Sequence, residues 1–245
     1  MLAIVYALVA GAVAGLITAF IPGFAWYAGF LPFVVVAAGV YFFLVRRINK
    51  VLQQQLGGLQ ALLMNKNIDG ALALLETLRG RFGKWVPLLS SQLDGQIGSI
   101  LFMKKEFEKA RPHLEAAFVR MWDSKPMLAV LLSGQVGKKG GDMKAVDTLL
   151  ERVARYTSKQ GLLYSTWAYL HWKAGDTKRA IEVLAKGKEI LGESDPHLSA
   201  NLLALQNDKK MKMKGYGDVW YTFHLEQHPM VMQQQRGGNV RFARR

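Results

Sequence analysis

Two histidines four positions apart, His224 and His228, are the residues whose types and spacing come nearest to a metal site. On one helix face, two such imidazoles can hold a zinc ion. The zinc-protease motif places a glutamate directly after the first histidine, near the metal-bound water. Here Glu226 lies one position further along, Pro229 follows the second histidine, and no third ligand is evident. A metal-dependent enzyme that uses His224 and His228 is therefore only an alternative, and we expect no bound metal.

Other signatures of catalysis are incomplete in this sequence. Gly215 and Gly217 lack the third glycine and the preceding strand of a dinucleotide-binding loop. Ser90, Ser91 and Ser99 have no nucleophile-elbow context, and the chain has no cysteine. Because the polar residues are spread along the sequence and do not converge on a motif, we expect no enzymatic activity and no cofactor.

The charged residues divide the chain into two parts. The 245 residues include 32 lysines and arginines and 18 aspartates and glutamates, for a formal net charge of +14, and all of them follow residue 45. An uncharged apolar segment thus precedes a body of ordinary soluble composition. This division excludes a wholly soluble enzyme and a transporter with many membrane spans. The frequent leucine, valine, alanine and aromatic residues of the body argue against disorder.

The uncharged segment contains two apolar runs, residues 2–20 and 24–45, each close to the roughly 20 residues that a membrane-spanning helix needs. Ile21, Pro22 and Gly23 predict a turn between them, and hence an antiparallel transmembrane hairpin. Pro32 either kinks the second helix or marks its beginning, with 24–31 along the membrane interface. A cleaved signal peptide is the alternative, although the first run lacks a basic start and a second run follows it directly.

The charges beside the hairpin predict its orientation. The link 21–31 has no lysine or arginine, whereas Arg46, Arg47 and Lys50 directly follow the second run. Positive residues stay on the cytoplasmic side, so we expect both termini in the cytoplasm. The aromatic residues 24, 26 and 27 at the hairpin tip then lie at the far interface. The chain is accordingly predicted to be an integral protein of a bacterial inner membrane.

Small residues recur every four positions in the first run, at Ala3, Ala7, Gly11 and Gly15. On a helix they form one stripe, and the GxxxG pair lets another helix approach closely. The stripe predicts packing either against the second run of the same hairpin or against a partner helix, which would produce an oligomer.

From residue 51 onward the sequence predicts helix after helix, without strand-like alternation. Two Gly-Asp pairs, at 141–142 and 175–176, each separate two predicted helices and lie 34 residues apart. Thirty-four residues is the period of a known helix–turn–helix repeat. With the anchor residues described next, these pairs make the body resemble the tetratricopeptide-repeat (TPR) family, which implies an α-solenoid.

Anchor residues recur where this family has them, although no unit carries its full set of tryptophan, tyrosine and proline. The first helices have a small residue at Gly98, Gly134 and Ala168. Small residues let helices cross closely, and a 0/4/7 stripe buries one face of the second helix. The units are about 52–85, 91–124, 127–160 and 161–194, with a capping helix over 196–206. The stripes are Ala71, Leu75 and Leu78; Ala110, Leu114 and Ala117; Val146, Leu150 and Val153; and Ala180, Leu184 and Gly187.

The order of elements, two membrane spans followed by such repeats, is also similar to the N-terminal arrangement of HemY-type inner-membrane proteins. That similarity would imply a link to haem metabolism. It is one of architecture, without a diagnostic motif, and is an alternative to a general scaffold.

Repeat proteins of this kind bind peptides or helices of partner proteins along the surface lined by their first helices. The predicted lining combines aromatic, amide, hydroxyl and lysine side chains, which suits a peptide with apolar anchors and an acidic group. The alternative is that the capping helix covers Tyr169 and Trp172, and that Lys138 and Lys139 are only a solvated turn. The predicted groove residues are Gln92, Ser99, Phe102, Gln135, Lys138, Lys139, Ser165, Tyr169, Trp172 and Lys173.

The C-terminal region, 209–245, is basic and partly aromatic. Trp220, Tyr221 and Phe223 are too apolar for a free tail, so we expect them to be packed, either along the body or on a partner as a second contact site. The basic residues favour anionic lipid headgroups or an acidic protein, and the alternative is that they serve only solubility. Nucleic acid is not expected, because no recognisable binding module is present.

Together these features predict an all-α protein in three parts. A transmembrane helical hairpin covers 1–45, a cytoplasmic TPR-like α-solenoid of about four helical hairpins with a capping helix covers 46–208, and a basic tail covers 209–245. We expect a scaffold or assembly factor that holds protein partners at the cytoplasmic face of the membrane.

Overall fold

The computed structural model describes residues 1–20, 29–121, 123–137 and 140–227. Throughout these ranges the chain is all-α, as predicted, with eleven α-helices and no strand. Two compact units, residues 1–97 and 98–245, divide within the fourth helix. The helices are α1 (Leu2–Ala19), α2 (Phe30–Met64), α3 (Ile68–Phe82), α4 (Leu89–Met103), α5 (Phe107–Ala116), α6 (Lys125–Leu132), α7 (Met143–Tyr156), α8 (Gly161–Lys173), α9 (Thr177–Leu191), α10 (Pro196–Gln206) and α11 (Asp218–Tyr221).

Two helices of the first unit, α1 and α2, are long and apolar enough to cross a membrane. They pack against each other, and large apolar side chains such as Val9, Ile17 and Phe42 remain exposed. The 35 residues of α2 extend over about 52 Å, more than a hydrocarbon core of about 30 Å. The predicted boundary at residues 45/46 lies within α2, whose C-terminal part contains the predicted first helix of the repeats.

Pro32 lies in the first turn of α2, which begins at Phe30. Proline is tolerated there because a first-turn N–H has no acceptor within the helix. The structure thus agrees with a helix that begins near Pro32, and not with a kink inside a longer helix. The predicted hairpin tip, including Phe24, Trp26 and Tyr27, lies outside the described residues.

The small-residue stripe of α1 packs against α2 of the same chain. Ala7 and Gly11 are buried and Gly15 is half-buried. A Cβ atom added at Gly11 would lie 2.7 Å from the Phe33 carbonyl oxygen, and one at Gly15 would lie 2.9 Å from the Gly29 carbonyl oxygen. Only glycine therefore permits this approach, and the stripe serves the hairpin itself.

The beginning of α1 is held by the connection between α3 and α4. The backbone N–H groups of Leu2 and Ala3 donate to the carbonyl oxygens of Lys84 and Trp85, at 2.8 and 3.2 Å. Tyr6 stacks on Trp85 with 5.7 Å between the ring centroids. These contacts place the beginning of α1 at the same end of the hairpin as the charged residues that follow residue 45.

Aspartate and asparagine side chains begin the second helix of several helical pairs. The side-chain oxygens of Asn67, Asp142 and Asp176 each accept a hydrogen bond from the backbone N–H three residues later. This N-cap satisfies one of the donors that a helix leaves without a partner. In the second Gly-Asp pair, Gly175 has a φ of +90°, which glycine adopts readily. The pairs therefore mark sharp turns between helices.

The predicted anchor stripes are buried. Ala110 and Ala180, expected at helix crossings, have no exposed surface, and a Cβ added at Gly98 would lie 2.8 Å from the Leu114 side chain. A helix, α10, covers the residues for which a capping helix was predicted. Gly134 is the exception, because α6 ends at Leu132 and Gly134 has a φ of +70°. It is a turn residue, and its prediction as a helix-crossing residue was wrong.

Candidate functional site

Helix α8 carries three predicted groove residues on one face, Ser165, Tyr169 and Trp172. They were predicted to line an open groove, but Ser165 and Tyr169 are completely buried and Trp172 is half-buried. Their polar and aromatic contacts come from residues 211–226 of the same chain, which we call the return segment. The second unit therefore fills this face with its own C-terminal residues.

The return segment is fixed first on α10. Asn201 is buried there, its Oδ1 accepts a hydrogen bond of 2.7 Å from the Lys212 backbone N–H, and its Nδ2 lies 3.6 Å from Met213 Sδ. The side chains of Met211 and Met213 are also buried. A paired amide and two apolar side chains thus direct the chain back toward α8.

Tyr216 then bonds to α8 through a short polar chain. Its O–H donates to the Asp195 carboxylate at 3.1 and 3.3 Å, so the Ser165 hydroxyl, 2.6 Å away, donates to the Tyr216 oxygen. Asp195 also caps the N-terminus of α10. Burial raises the pKa of the Tyr216 phenol above its usual range, and the negative charge of Asp195 adds to this shift. The phenol therefore stays a neutral donor.

Glu226 closes the face over Tyr169. One carboxylate oxygen accepts from the Tyr169 O–H at 2.9 Å and the other accepts from Trp220 Nε1–H at 3.0 Å. The Tyr169 and Trp220 rings pack edge to face, 4.8 Å apart. Burial raises the pKa of Tyr169, and the hydrogen bond to Glu226 raises it further. One carboxylate oxygen thus holds the segment on α8, and the other holds Trp220 within the segment.

His224 packs on Phe102, a predicted groove residue that is buried. The two ring centroids are 5.6 Å apart, and His224 Nε2 lies 3.2 Å from the Met103 carbonyl oxygen. Burial lowers the pKa of His224, which favours a neutral ring that donates to this carbonyl. The other histidine of the metal alternative, His228, lies outside the described residues. Within those residues, no three metal-ligating side chains form a group.

The other predicted groove residues differ in exposure. Gln135 and Lys173 of the second unit are exposed and Ser99 is half-buried, whereas Gln92 is an exposed residue of the first unit. Lys138 and Lys139 lie outside the described residues. The Lys173 ammonium lies 5.1 Å from the Trp172 ring centroid. Lys173 and Trp172 thus form the accessible edge of the covered face.

The aromatic residues of the tail are packed, as expected for an ordered segment. Trp220 and Phe223 are buried with their rings 5.9 Å apart, and Tyr221 is half-buried. The sequence predicts that these side chains are covered either by the body or by a partner protein. In this chain Trp220 packs on Tyr169 of the body, and Phe223 packs on Trp220.

Sequence reasoning missed a polar network that joins α7, α8 and α9. Asp147 accepts hydrogen bonds from Trp167 Nε1–H at 2.6 Å and pairs with His171 Nε2 at 2.8 Å, and Arg179 Nε lies 3.5 Å from its second oxygen. Trp167 and His171 are four positions apart, so they share the face of α8 opposite to Tyr169. That spacing was a signal that they share one acceptor. The network fixes the rotation of α8.

No protein-family model matches this sequence, and no curated protein is significantly similar to it. The resemblance to tetratricopeptide repeats therefore rests on the anchor residues and their spacing.

Proposed function

We propose that this chain is a membrane-anchored, non-enzymatic scaffold or assembly factor that holds a segment of a partner protein at the cytoplasmic face of the membrane. The observation that carries the proposal is the face of α8, which binds the return segment through Ser165 and Tyr169. A surface that holds an irregular segment by aromatic and polar contacts has the chemistry of a peptide-binding site.

The return segment indicates which peptide this face prefers. Trp220 supplies an apolar anchor, and Glu226 supplies a carboxylate within hydrogen-bond distance of Tyr169. Lys173 lies at the accessible edge, where it favours a further negative charge. A partner segment with an aromatic residue followed by an acidic residue would make the same contacts. We propose that such a segment enters beside Trp172 and displaces the return segment.

Two further features support a scaffold in the membrane. Each of the four helical pairs from α2 to α9 has a buried leucine at a predicted anchor position, and three of the four also have a buried small residue there, which is typical of a TPR-like solenoid. The exposed apolar surface of α1 and of the first part of α2 suits lipid. Arg46 and Arg47 after the second apolar run favour a cytoplasmic body.

The substitution Glu226→Gln tests whether a partner segment displaces the return segment. The substitution removes one of two acceptor oxygens, so either Tyr169 or Trp220 is left with a buried donor, at a cost of about 1–3 kcal/mol. This cost weakens the return segment and opens the face. We therefore expect severalfold more partner protein to co-purify from membranes in mild detergent, measured by quantitative mass spectrometry against the wild-type chain.

Glu193→Gln is the matched control, because Glu193 is exposed and lies outside the return segment. It removes the same charge and should leave the recovered partner unchanged. If Glu226→Gln keeps its helical content but recovers no more partner than wild type, displacement of the return segment by the partner is contradicted.

A further inference from the structure

We propose that a cavity in the first unit binds the phosphate headgroup of an anionic glycerophospholipid. The proposal depends on the proposed membrane anchoring by α1 and α2. The cavity has a volume of about 350 Å³, within the range of small-ligand sites. It combines two arginines with apolar and aromatic side chains. The lining residues are Leu44, Arg47, Ile48, Val51, Arg81, Phe82 and Trp85.

The position of the cavity along α2 corresponds to the depth of lipid phosphates. Leu44 belongs to the uncharged run, and Arg47 lies one turn later on the same continuous helix. The hydrocarbon core must end where the charged residues begin, and the headgroup layer follows it directly. Trp85 also lines the cavity, and tryptophan is enriched at this level of a membrane.

The charge of the cavity matches a phosphodiester. Arg47 and Arg81 are exposed, and neither forms an ion pair with a residue that the structure describes. The Arg81 guanidinium lies 5.2 Å from the Phe82 ring centroid, which orients it beside the cavity. Guanidinium groups bind phosphate oxygens in a bidentate manner, and basic pockets on the cytoplasmic side of membrane helices suit anionic headgroups.

The apolar part of the lining favours a lipid over a free ion. Leu44, Ile48 and Val51 lie beside the arginines, and toward the N-terminus α2 continues into an exposed apolar surface. A glycerophospholipid can place its phosphate between the arginines while its acyl chains follow this surface. Inorganic phosphate would use the arginines alone and leave the apolar lining without a partner.

Native mass spectrometry of the full chain in a neutral detergent tests the site, with phosphatidylglycerol and phosphatidylcholine of identical acyl chains as probes. We expect one phosphatidylglycerol per chain and a marked preference over phosphatidylcholine. In the double variant Arg47→Gln/Arg81→Gln, affinity for phosphatidylglycerol should fall about tenfold or more, because two charge-assisted contacts are lost. Arg81→Lys should have an intermediate affinity, since it keeps the charge and loses the planar fork.

The control is Arg46→Gln/Lys50→Gln, which removes the same two charges from the same helix without touching the cavity lining. It should retain the affinity of the wild-type chain within about twofold, since bulk attraction is absent in a neutral micelle. An equal loss in both double variants would overturn the site, and so would displacement of the lipid by millimolar inorganic phosphate. Circular dichroism of each variant verifies that it is folded.

Extraction at alkaline pH shows whether a negative result contradicts only the lipid site or also the membrane anchoring. A chain that stays in the membrane but shows no preference for phosphatidylglycerol contradicts the lipid site alone. A chain that alkaline carbonate releases from the membrane contradicts both.

Discussion

Lys125 is a buried cation at the beginning of α6 that completes the end of another helix. Its Nζ donates to the carbonyl oxygen of Leu114 at 2.7 Å and lies 3.3 Å from that of Glu115. Both carbonyls belong to the last turn of α5, where such groups lack partners within the helix and a positive charge is favourable. Burial nevertheless lowers the pKa of Lys125 to about 8.

This pKa shift predicts how stability depends on pH. Between about pH 8 and the ordinary lysine pKa of about 10.4, the unfolded chain holds a proton on Lys125 that the folded chain has released. The free energy of unfolding therefore rises with pH in this window. Denaturant unfolding of wild type and Lys125→Met should show a stability difference that increases in favour of wild type from about pH 8 to pH 10. A difference that is constant or falls would contradict the shifted pKa.

At the scale of elements, the crossing of α8 and α9 depends on small residues. Ala180 of α9 is completely buried, and a Cβ added at Gly187 would lie 2.8 Å from the Tyr164 ring. Ala180→Phe should overpack this crossing and lower the free energy of unfolding by about 1–3 kcal/mol. Ala185→Phe is the matched control, because Ala185 is exposed on the same helix. Equal stability of the two variants would show that the predicted repeat register is wrong.

The helices of the body were predictable because local signals agree with their packing. The Asp142 and Asp176 caps and the apolar stripes occur within one or two helical turns, so the sequence shows them directly. The continuity of α2 was less evident. Gly57 and Gly58 weaken a helix, yet α2 continues through both, and no proline occurs between Pro32 in its first turn and its end at Met64.

The return segment could not be placed from the sequence. It has no helical period, and its contacts join residues far apart, such as Ser165 with Tyr216 and Tyr169 with Glu226. The aromatic content of 220–223 did predict burial, because bulky apolar side chains seldom stay exposed. The composition of the segment does not indicate which residues these side chains contact. Only the fold therefore shows that the return segment covers the predicted groove.

The whole molecule combines an uncharged hairpin with a strongly basic body. All the charged residues follow residue 45, and the beginning of α1 contacts the Lys84 and Trp85 carbonyls. The beginning of the chain and the first helices of the body therefore share one end of the hairpin. In the proposed orientation, Arg46 and Arg47 keep this end of the hairpin on the cytoplasmic side.

Cysteine labelling tests most directly the central claim that the hairpin holds the body at the cytoplasmic face. The natural chain has no cysteine, so single substitutions can be labelled without background. Lys178→Cys lies at an exposed position of α9, and Gly23→Cys lies in the link between the apolar runs. In right-side-out membrane vesicles, a membrane-impermeant maleimide should label Gly23→Cys at once and Lys178→Cys only after permeabilisation. Labelling of Lys178→Cys in sealed vesicles, with Gly23→Cys protected, would contradict the account.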